Sequence, residues 1–309
     1  MTTLQKRLFC LLEGRFSEHQ SMSKSLEDLW NLDQSVVRRK INGDSKLSLD
    51  QLETLVNEYP FLVEEFLPPE LRETTFLASS NQVLDFDSVS HYLKRVINAF
   101  KMAVAKNAKI KYVARDLPFF FFLSHPYLAA YKFLMHTKAD IPKGLIKLSG
   151  EAWSLCQEAY ELYLQIDSEE IWSQFLVLNQ FHHITWLHQL GRISEGLKCE
   201  LQALIKAQLM RYKNWGEKGR KEGRGHLDLF STQFIAMNNG GILLEPGSKK
   251  MMTTLSNVNF ISYIHPQLCE NFERDFDAHK STSTLISSSN SLERERYFEA
   301  MLQDIDRAC

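Results

Sequence analysis

Apolar residues recur every three or four positions through the first sixty residues, which is the spacing of one face of an α-helix. In one of these stretches, Leu26, Leu29 and Trp30 are spaced i, i+3 and i+4. Further on, Ser48 and Gln51 fit the S-x-x-Q capping box that opens many helices. The pattern therefore predicts four short helices, over Leu4–Leu12, about Ser23–Asn31, Gln34–Asn42, and from Ser48 to Pro60.

The third predicted helix has both of its ends marked. Asp33 can accept hydrogen bonds from the free backbone N–H groups of the first turn, and Gly43 can adopt the left-handed conformation that ends a helix. Val37 and Ile41 are four residues apart and share one face. The side chains that point elsewhere are Gln34, Ser35, Arg38 and Arg39. Arginine and glutamine pair bidentately with guanine and adenine edges, so DNA is the first candidate partner.

Helical spacing also fills the middle of the chain, and the period changes only after residue 225. The stretch 61–90 contains Pro68-Pro69 and is predicted to have little regular structure. The later turn Asn238–Gly241 favours a hairpin, because such turns need positive φ. Predicted helices run over His91–Lys106, Tyr127–Met135, Gly150–Ile166, Ser168–Leu190, Ile193–Asn214, Pro266–His279 and Leu292–Arg307. Predicted strands run over Leu227–Met237, Ile242–Leu244, Met251–Thr254 and Phe260–Tyr263.

Composition narrows the class of protein. A chain of 309 residues with 44% apolar and 24% charged residues is ordinary for a globular protein with two domains. The net charge of −2 predicts no general affinity for polyanions. Five cysteines that form no CxxC argue against a disulfide scaffold or a zinc site and favour a cytoplasmic protein. The most apolar run, Leu117–Leu123, is far shorter than the roughly 20 residues needed to cross a bilayer, so no membrane contact is expected.

Residues Ser25–Ile41 have the layout of a helix-turn-helix, in which the second helix enters the major groove of DNA. The segment resembles the lambda-repressor-like helix-turn-helix family through its sequence LWNLDQSVVRRKING. It is also similar to the Lac-repressor-type pattern, whose recurring residues correspond to Val37, Arg39 and Asn42. Asn31 stands where many members carry glycine in the turn, and asparagine tolerates a left-handed backbone best among the other residues.

A wider resemblance links the chain to a Bacteroidetes-type group of transcriptional regulators with a helix-turn-helix and a large C-terminal region. Its segments are RRKINGDSKLSLDQLETLV, KIKYVARDLPFFFFLSHPYLAAYKFLM and STLISSSNSLERERYFEAML, which lie near the start, middle and end of the chain. The resemblance implies regulation and names no effector.

The family layout implies a role for each polar residue around the second helix of the motif. It places Gln34, Ser35 and Arg39 at positions that read base edges. Arg38 and Lys40 flank the groove and would meet phosphates, as would Lys46 in the following loop. Phosphate contacts position such a protein, whereas base contacts specify the sequence.

The charge balance of the N-terminal region opposes this interpretation. Residues 1–60 hold eight Lys/Arg and nine Asp/Glu, so affinity per subunit should be weak and a dimer with two half-sites is expected. One alternative is that the arginine pair is a solvated surface of a small helical bundle. Two others are a helical module that binds a protein or peptide through residues 150–215, and a small-molecule sensor without DNA activity.

The remaining motifs favour structural roles. The basic segment Gly216–Gly225 lacks the GxxxxGK[ST] order of a phosphate loop, so a flexible solvated loop is expected. The run Phe119–Phe122 is predicted to be core rather than a ligand pocket, and the basic helix His91–Lys106 a dimer seam or intramolecular core. The spacing of His182, His183 and His188 does not suit a metal site. No GxSxG or HExxH motif occurs, so no enzyme activity and no cofactor are expected.

The sequence therefore predicts a mostly α fold that ends in a small antiparallel β-sheet with helices. The expected organisation is a helix-turn-helix domain (1–65), a linker (66–90), a helical domain (91–225) and a small α+β subdomain (226–309). The predicted function is that of a homodimeric regulator that binds double-stranded DNA. The C-terminal region would mediate dimerisation or sense a small-molecule or peptide effector.

Overall fold

The computed structural model describes residues 4–14, 16, 21–59, 62, 66, 78–81, 88–134, 148, 150–234, 239–246, 248–256 and 258–308. The chain divides into two compact units, Met1–Ala78 with Tyr263–His265, and Ser79–Ser262 with Pro266–Cys309. The predicted linker at 66–90 lies mostly outside the described residues. Of the predicted turn Asn238–Gly241, Asn238 lies outside them, whereas Gly240 and Gly241 belong to a strand (Gly240–Glu245), so the prediction of a turn at these two glycines is wrong.

The first unit contains the four helices that its apolar spacing predicts. They are α1 (Leu4–Glu13), α2 (Met22–Trp30), α3 (Gln34–Asn42) and α4 (Leu49–Glu58). Their buried side chains form one core, which consists of Leu8, Phe9, Leu12, Leu26, Val37, Leu55 and Leu62. The capping box at α4 is confirmed, because Ser48 Oγ accepts from Gln51 N at 3.2 Å and Gln51 Oε1 accepts from Ser48 N at 3.1 Å.

The rest of the described chain forms eight more helices and eight strands. The helices are α5 (Ser88–Ala105), α6 (Phe119–Phe122), α7 (Pro126–Leu134), α8 (Gly150–Gln165), α9 (Leu178–Gln189), α10 (Glu195–Lys218), α11 (Pro266–Ser281) and α12 (Ser291–Ala308). The strands are β1 (Ala78–Asn81), β2 (Lys109–Ala114), β3 (Asp167–Ser173), β4 (Leu227–Thr232), β5 (Gly240–Glu245), β6 (Ser248–Ser256), β7 (Asn259–Tyr263) and β8 (Thr284–Leu285).

All eight strands belong to one mixed sheet with the order β1-β7-β6-β5-β2-β3-β4-β8. The central strands β2, β3 and β4 run parallel, and helices α6–α8 and then α9–α10 connect them. Strands β5 and β8 flank this parallel core in the antiparallel sense. The predicted fold class is therefore wrong: the chain has an α/β fold with a large mixed sheet, and it is not a mostly α chain that ends in a small sheet.

The fold class was predicted wrongly because of the central strands. One of them, β3, lies at the start of the segment Ser168–Leu190, which was predicted to be one helix. Six of the seven residues of β3 are buried, so the strand lacks the polar alternation that marks a strand with one solvent face. Its two glutamates are also uncommon in strands. The carboxylate of Glu169 is tolerated in this buried strand because Lys109 Nζ donates to it at 2.6 Å.

Both faces of the central strands are covered. On β2, Tyr112 belongs to the main hydrophobic core, whereas its neighbour Val113 belongs to a smaller cluster on the other side. The main core includes buried residues of α5, α8 and α10, and the smaller cluster includes Phe276 of α11. Burial of both faces is the usual state of a parallel sheet, and it places the helices in two layers around this one.

Candidate nucleic-acid interface

Helix α3 is held between two residues with a left-handed backbone. Asn31 ends α2 with φ 50°, and its N–H donates to Glu27 O, so only three residues separate α2 from α3. Gly43 ends α3 with φ 84° and donates to the carbonyls of Arg39 and Lys40. Both end residues were predicted from the sequence. Asp33 has the extended backbone of an N-cap, but its side chain makes no capping hydrogen bond.

The inner face of α3 anchors the helix to the rest of the first unit. Val37 is fully buried, and Ile41 packs half-buried against the same core. Helix α2 is tied to α4 because Trp30 Nε1 donates to Gln51 O at 3.1 Å. Helices α2, α3 and α4 thus pack around one core.

The outer face of α3 carries most of the predicted DNA-contacting residues. Exposed side chains are found at Gln34, Ser35, Arg38 and Arg39, and at Lys46 in the following loop. Ser35 is three and four residues before Arg38 and Arg39, so these three lie on one side of the helix. Neither arginine forms an ion pair within the described part of the chain. The face therefore offers two guanidinium groups that no carboxylate of the described residues occupies.

Lys40 is placed differently from the phosphate contact predicted for it. Only 9% of its surface is exposed, and its Nζ donates to Lys46 O at 2.8 Å. Its ammonium thus already has an acceptor inside the unit. Lys40 therefore holds the loop that follows α3.

Gln5 is a supporting residue that the sequence did not reveal. From α1, its Nε2 donates to Lys40 O at 2.7 Å and to Ser45 O at 2.8 Å, and its Oε1 accepts from Leu47 N at 3.2 Å. These bonds span about 40 residues, and local periodicity carries no sign of them. They fix the C-terminal end of α3 and the loop that carries Lys46.

The basic helix α5 offers no comparable surface, because part of its charge is paired within the chain. Lys94 Nζ lies 2.7 Å from Glu151 Oε1, and Lys101 Nζ lies 2.7 Å from Glu158 Oε1. Both acidic partners belong to α8. Helix α5 therefore packs within its own chain, one of the two roles expected for it.

The Gly-rich basic segment is docked on the chain, and the expectation of a solvated loop is wrong for Lys221. This lysine is 1% exposed, and its Nζ donates to Tyr163 O at 3.1 Å and to Ile166 O at 2.6 Å. A Cβ at Gly225 would lie 2.5 Å from Ile166 O, so only glycine allows the close approach. The segment caps the C-terminal end of α8, where helix carbonyls lack partners.

A buried carboxylate on β3 forms a hydrogen-bond network with α8, the helix on which the Gly-rich segment docks. Glu170 is fully buried, and its oxygens accept from Tyr163 Oη at 2.6 Å, Ser168 Oγ at 3.0 Å and Trp172 Nε1 at 3.0 Å. Tyr163 Oη also lies 3.1 Å from Tyr212 Oη of α10. Burial raises the pKa of both tyrosines well above its ordinary value. This network joins β3 to α8 and α10.

Two of the three histidines of α9, His183 and His188, have protein partners. His183 Nδ1 lies 3.1 Å from Tyr131 Oη, and His188 Nε2 lies 2.8 Å from Glu195 Oε2. Within the described ranges, no three His, Cys, Asp or Glu side chains are grouped so that they could hold a metal ion. Every helix that the structure describes is too short or too polar to cross a membrane.

Comparison with known proteins identifies no family for this chain. No family model matches the chain, and no curated protein matches it. The resemblances to helix-turn-helix regulators are thus not supported by a family match. Among solved structures, the chain is similar to TrmBL2, described as an archaeal chromatin protein with a novel mode of DNA binding. The TM-score is 0.27 at 9% identity, over 90% of this chain and 98% of that one, and a likeness this weak carries no argument.

Proposed function

We propose that this chain binds double-stranded DNA through α3 and acts as a sequence-specific transcriptional regulator. What supports the proposal is the exposed side of α3 formed by Ser35, Arg38 and Arg39, whose arginines form no ion pair within the described residues. A helix that ends at a left-handed glycine, with an apolar inner face and such an outer side, is suited to enter the major groove. The partner helix α2 and the short turn at Asn31 provide the support that the motif needs.

The residues of this surface take different roles in the proposal. Gln34, Ser35 and Arg39 contact base edges, because the N-terminal part of the second helix faces the floor of the groove. Arg39 forms the bidentate pair that arginine makes with guanine. Arg38 and Lys46 contact phosphates at the edges of the groove. Lys40 and Gln5 position the loop from inside the unit.

Binding would require two copies of the chain. The region 1–60 has one more acidic than basic residue, and phosphate neutralisation supplies most of the non-specific affinity of such proteins. One copy would therefore bind weakly. A twofold dimer would present two α3 helices to half-sites about 34 Å apart, one turn of DNA. We assign dimerisation and effector sensing to the second unit.

The test is selection of bound sequences from a random duplex pool, followed by affinity titration of the winning sequence across a salt series. The wild-type chain should bind with an affinity that falls linearly on a log–log plot as salt rises. The double variant Arg38→Ala/Arg39→Ala should lose this binding. Lys24→Ala should keep it, because Lys24 is a lysine on α2 that pairs with Asp28 at 3.4 Å.

Two outcomes would contradict the proposal. One is a chain that shows no salt-dependent binding to any duplex, including its own upstream region. The other is equal binding by the wild-type chain and the double arginine variant.

A further inference from the structure

The second unit contains a partly open cavity of about 150 Å³ between α5 and the face of the sheet formed by β2, β5, β6 and β7. Its walls are mainly apolar, and six of the residues that line it are aromatic: Tyr92, Phe100, Tyr112, Phe119, Phe120 and Phe260. We refer to it as the α5 cavity. An apolar cavity of about this size in another protein holds benzene, so a single six-membered ring fits the space.

Contacts among the wall residues hold the cavity open in one shape. Tyr92 Oη donates to Val258 O at 2.8 Å, which fixes this ring between α5 and the sheet. Its ring meets those of Phe119 and Phe260 edge to face, with centroids 5.6 and 6.0 Å apart. Tyr112 and Phe120 meet in the same way at 5.3 Å. A bound aromatic ring would extend this edge-to-face arrangement.

The polar residues of the lining include two cations beside Asn239, Ser262 and two threonines. Arg95 and Lys250 line the cavity, and no Asp or Glu of the described chain does so. Arg95 forms no ion pair with any described residue, although Lys94 and Lys101 on the same helix pair with glutamates of α8. A guanidinium group binds a carboxylate through two parallel hydrogen bonds. Arg95 thus offers a site for an anionic group beside an apolar chamber.

We propose that the α5 cavity binds a small monocyclic aromatic carboxylate, with its ring among the aromatic walls and its carboxylate on Arg95. The shape and apolar character of the walls select the ring, and the unpaired guanidinium selects the acid over a neutral analogue. The proposal that the cavity binds such an acid rests on this geometry alone. The further step, that the acid is the effector that changes DNA affinity, rests on the proposed function.

The prediction that Phe119–Phe122 is core is confirmed. Phe120, Phe121 and Phe122 are buried in the main core, and Phe119 packs against it. Two of the four, Phe119 and Phe120, also line the cavity.

The test is isothermal titration of the full-length chain with phenylacetate and with its neutral amide, phenylacetamide. The acid should bind at least about tenfold more tightly than the amide, a difference of about 1.4 kcal/mol. Arg95→Gln should remove this preference, and Ala99→Leu, which places extra carbons in the lining, should weaken both compounds. Lys101→Gln is the matched control on the same helix, since its ion pair with Glu158 lies outside the cavity lining.

The outcomes separate the proposal from the function proposed above. Absence of binding by both compounds at millimolar concentration would overturn the proposed ligand site. Equal affinity of the wild-type chain for acid and amide would also overturn it, before any variant is measured. An unchanged preference in Arg95→Gln would overturn the role of Arg95. DNA affinity is measured separately with and without the acid. If the acid binds but DNA affinity is unaffected, the role of the acid as effector is overturned. If the chain binds no DNA at all, the proposed regulator function is overturned, but the ligand site is not.

Discussion

Three consecutive basic residues in α3 have three different surroundings. Arg38 and Arg39 are exposed at successive positions, about 100° apart around the helix. Lys40 is buried and donates to the carbonyl of Lys46. A run of basic residues therefore does not act as one positive patch. On a helix each position must be assigned a role according to the side on which it lies.

The two arginines should give distinguishable effects on DNA binding. Arg39→Ala should weaken binding to the selected sequence by about 1–3 kcal/mol and relax specificity at one base position, because a base contact is lost. Arg38→Ala should weaken binding to all sequences alike and lower the salt dependence by about one charge. Titration of both variants against a library of single-base changes measures both effects. Identical specificity profiles for the two variants would contradict the assignment.

The positions of these residues were predictable in part from the sequence. Val37 and Ile41 define the inner face of α3 and, with it, the exposure of Gln34, Ser35 and Arg39. The inward position of Lys40 could not be predicted from the same pattern. It depends on the loop after α3, which Gln5 holds from a distance of about 40 residues along the chain.

At the scale of elements, helices were predicted well because their signals are local. The capping box at α4 and the left-handed residues at the ends of α2 and α3 act within a few residues. The central strands β2 and β3 were missed because their stability comes from neighbours far away in sequence. Strand β3 pairs with β4, which begins 60 residues later at Leu227 opposite Ser168. Such pairing leaves little trace in the pattern of a short segment with both faces buried.

The docking of the Gly-rich segment on α8 gives a prediction at this scale. Gly225→Ala would place a Cβ 2.5 Å from Ile166 O, so the segment must move away from the helix end. We expect the free energy of unfolding to fall by about 2–4 kcal/mol, since Lys221 would then lose its acceptors and stay partly buried. Urea unfolding of the purified chain measures this change.

Gly196→Ala is the matched control in the same unit. Gly196 lies in the first turn of α10, and a Cβ there would meet only Ser194 Oγ at 4.0 Å. This change should leave stability unaltered or raise it by up to about 1 kcal/mol, because alanine favours the helix. Equal stability of the two variants would show that the segment does not need its close approach to α8.

At the scale of the whole molecule, charge is distributed differently in the two units. In the second unit, several lysines are paired with acidic residues of neighbouring elements, as with Lys94–Glu151 and Lys111–Asp277. In the first unit, Arg38 and Arg39 have no ion pair within the described residues. A chain with net charge −2 can therefore still offer a local basic face to DNA, while the larger unit remains free for other roles.

Burial also makes the stability of the second unit depend on pH. Burial lowers the pKa of Lys221 to about 7, although the nearby carboxylate of Glu170 acts in the opposite direction. An unfolded chain would keep this lysine protonated up to about pH 10. Between these values the unfolded state binds more protons, so the free energy of unfolding rises with pH. Burial raises the pKa of Cys156 and Tyr163, which reverses the trend above about pH 9.

The contribution of Lys221 can be isolated by comparing the wild-type chain with Lys221→Met in urea unfolding at several pH values. From about pH 7 to 9 the wild-type chain should gain stability relative to this variant, by up to about 1.4 kcal/mol per pH unit. Below about pH 7 the difference should become constant, because the lysine is then protonated in both states. For the exposed Lys218, Lys218→Met should give a difference that does not vary over this range. A constant difference for Lys221→Met would mean that the carbonyls of Tyr163 and Ile166 keep the ammonium charged despite its burial.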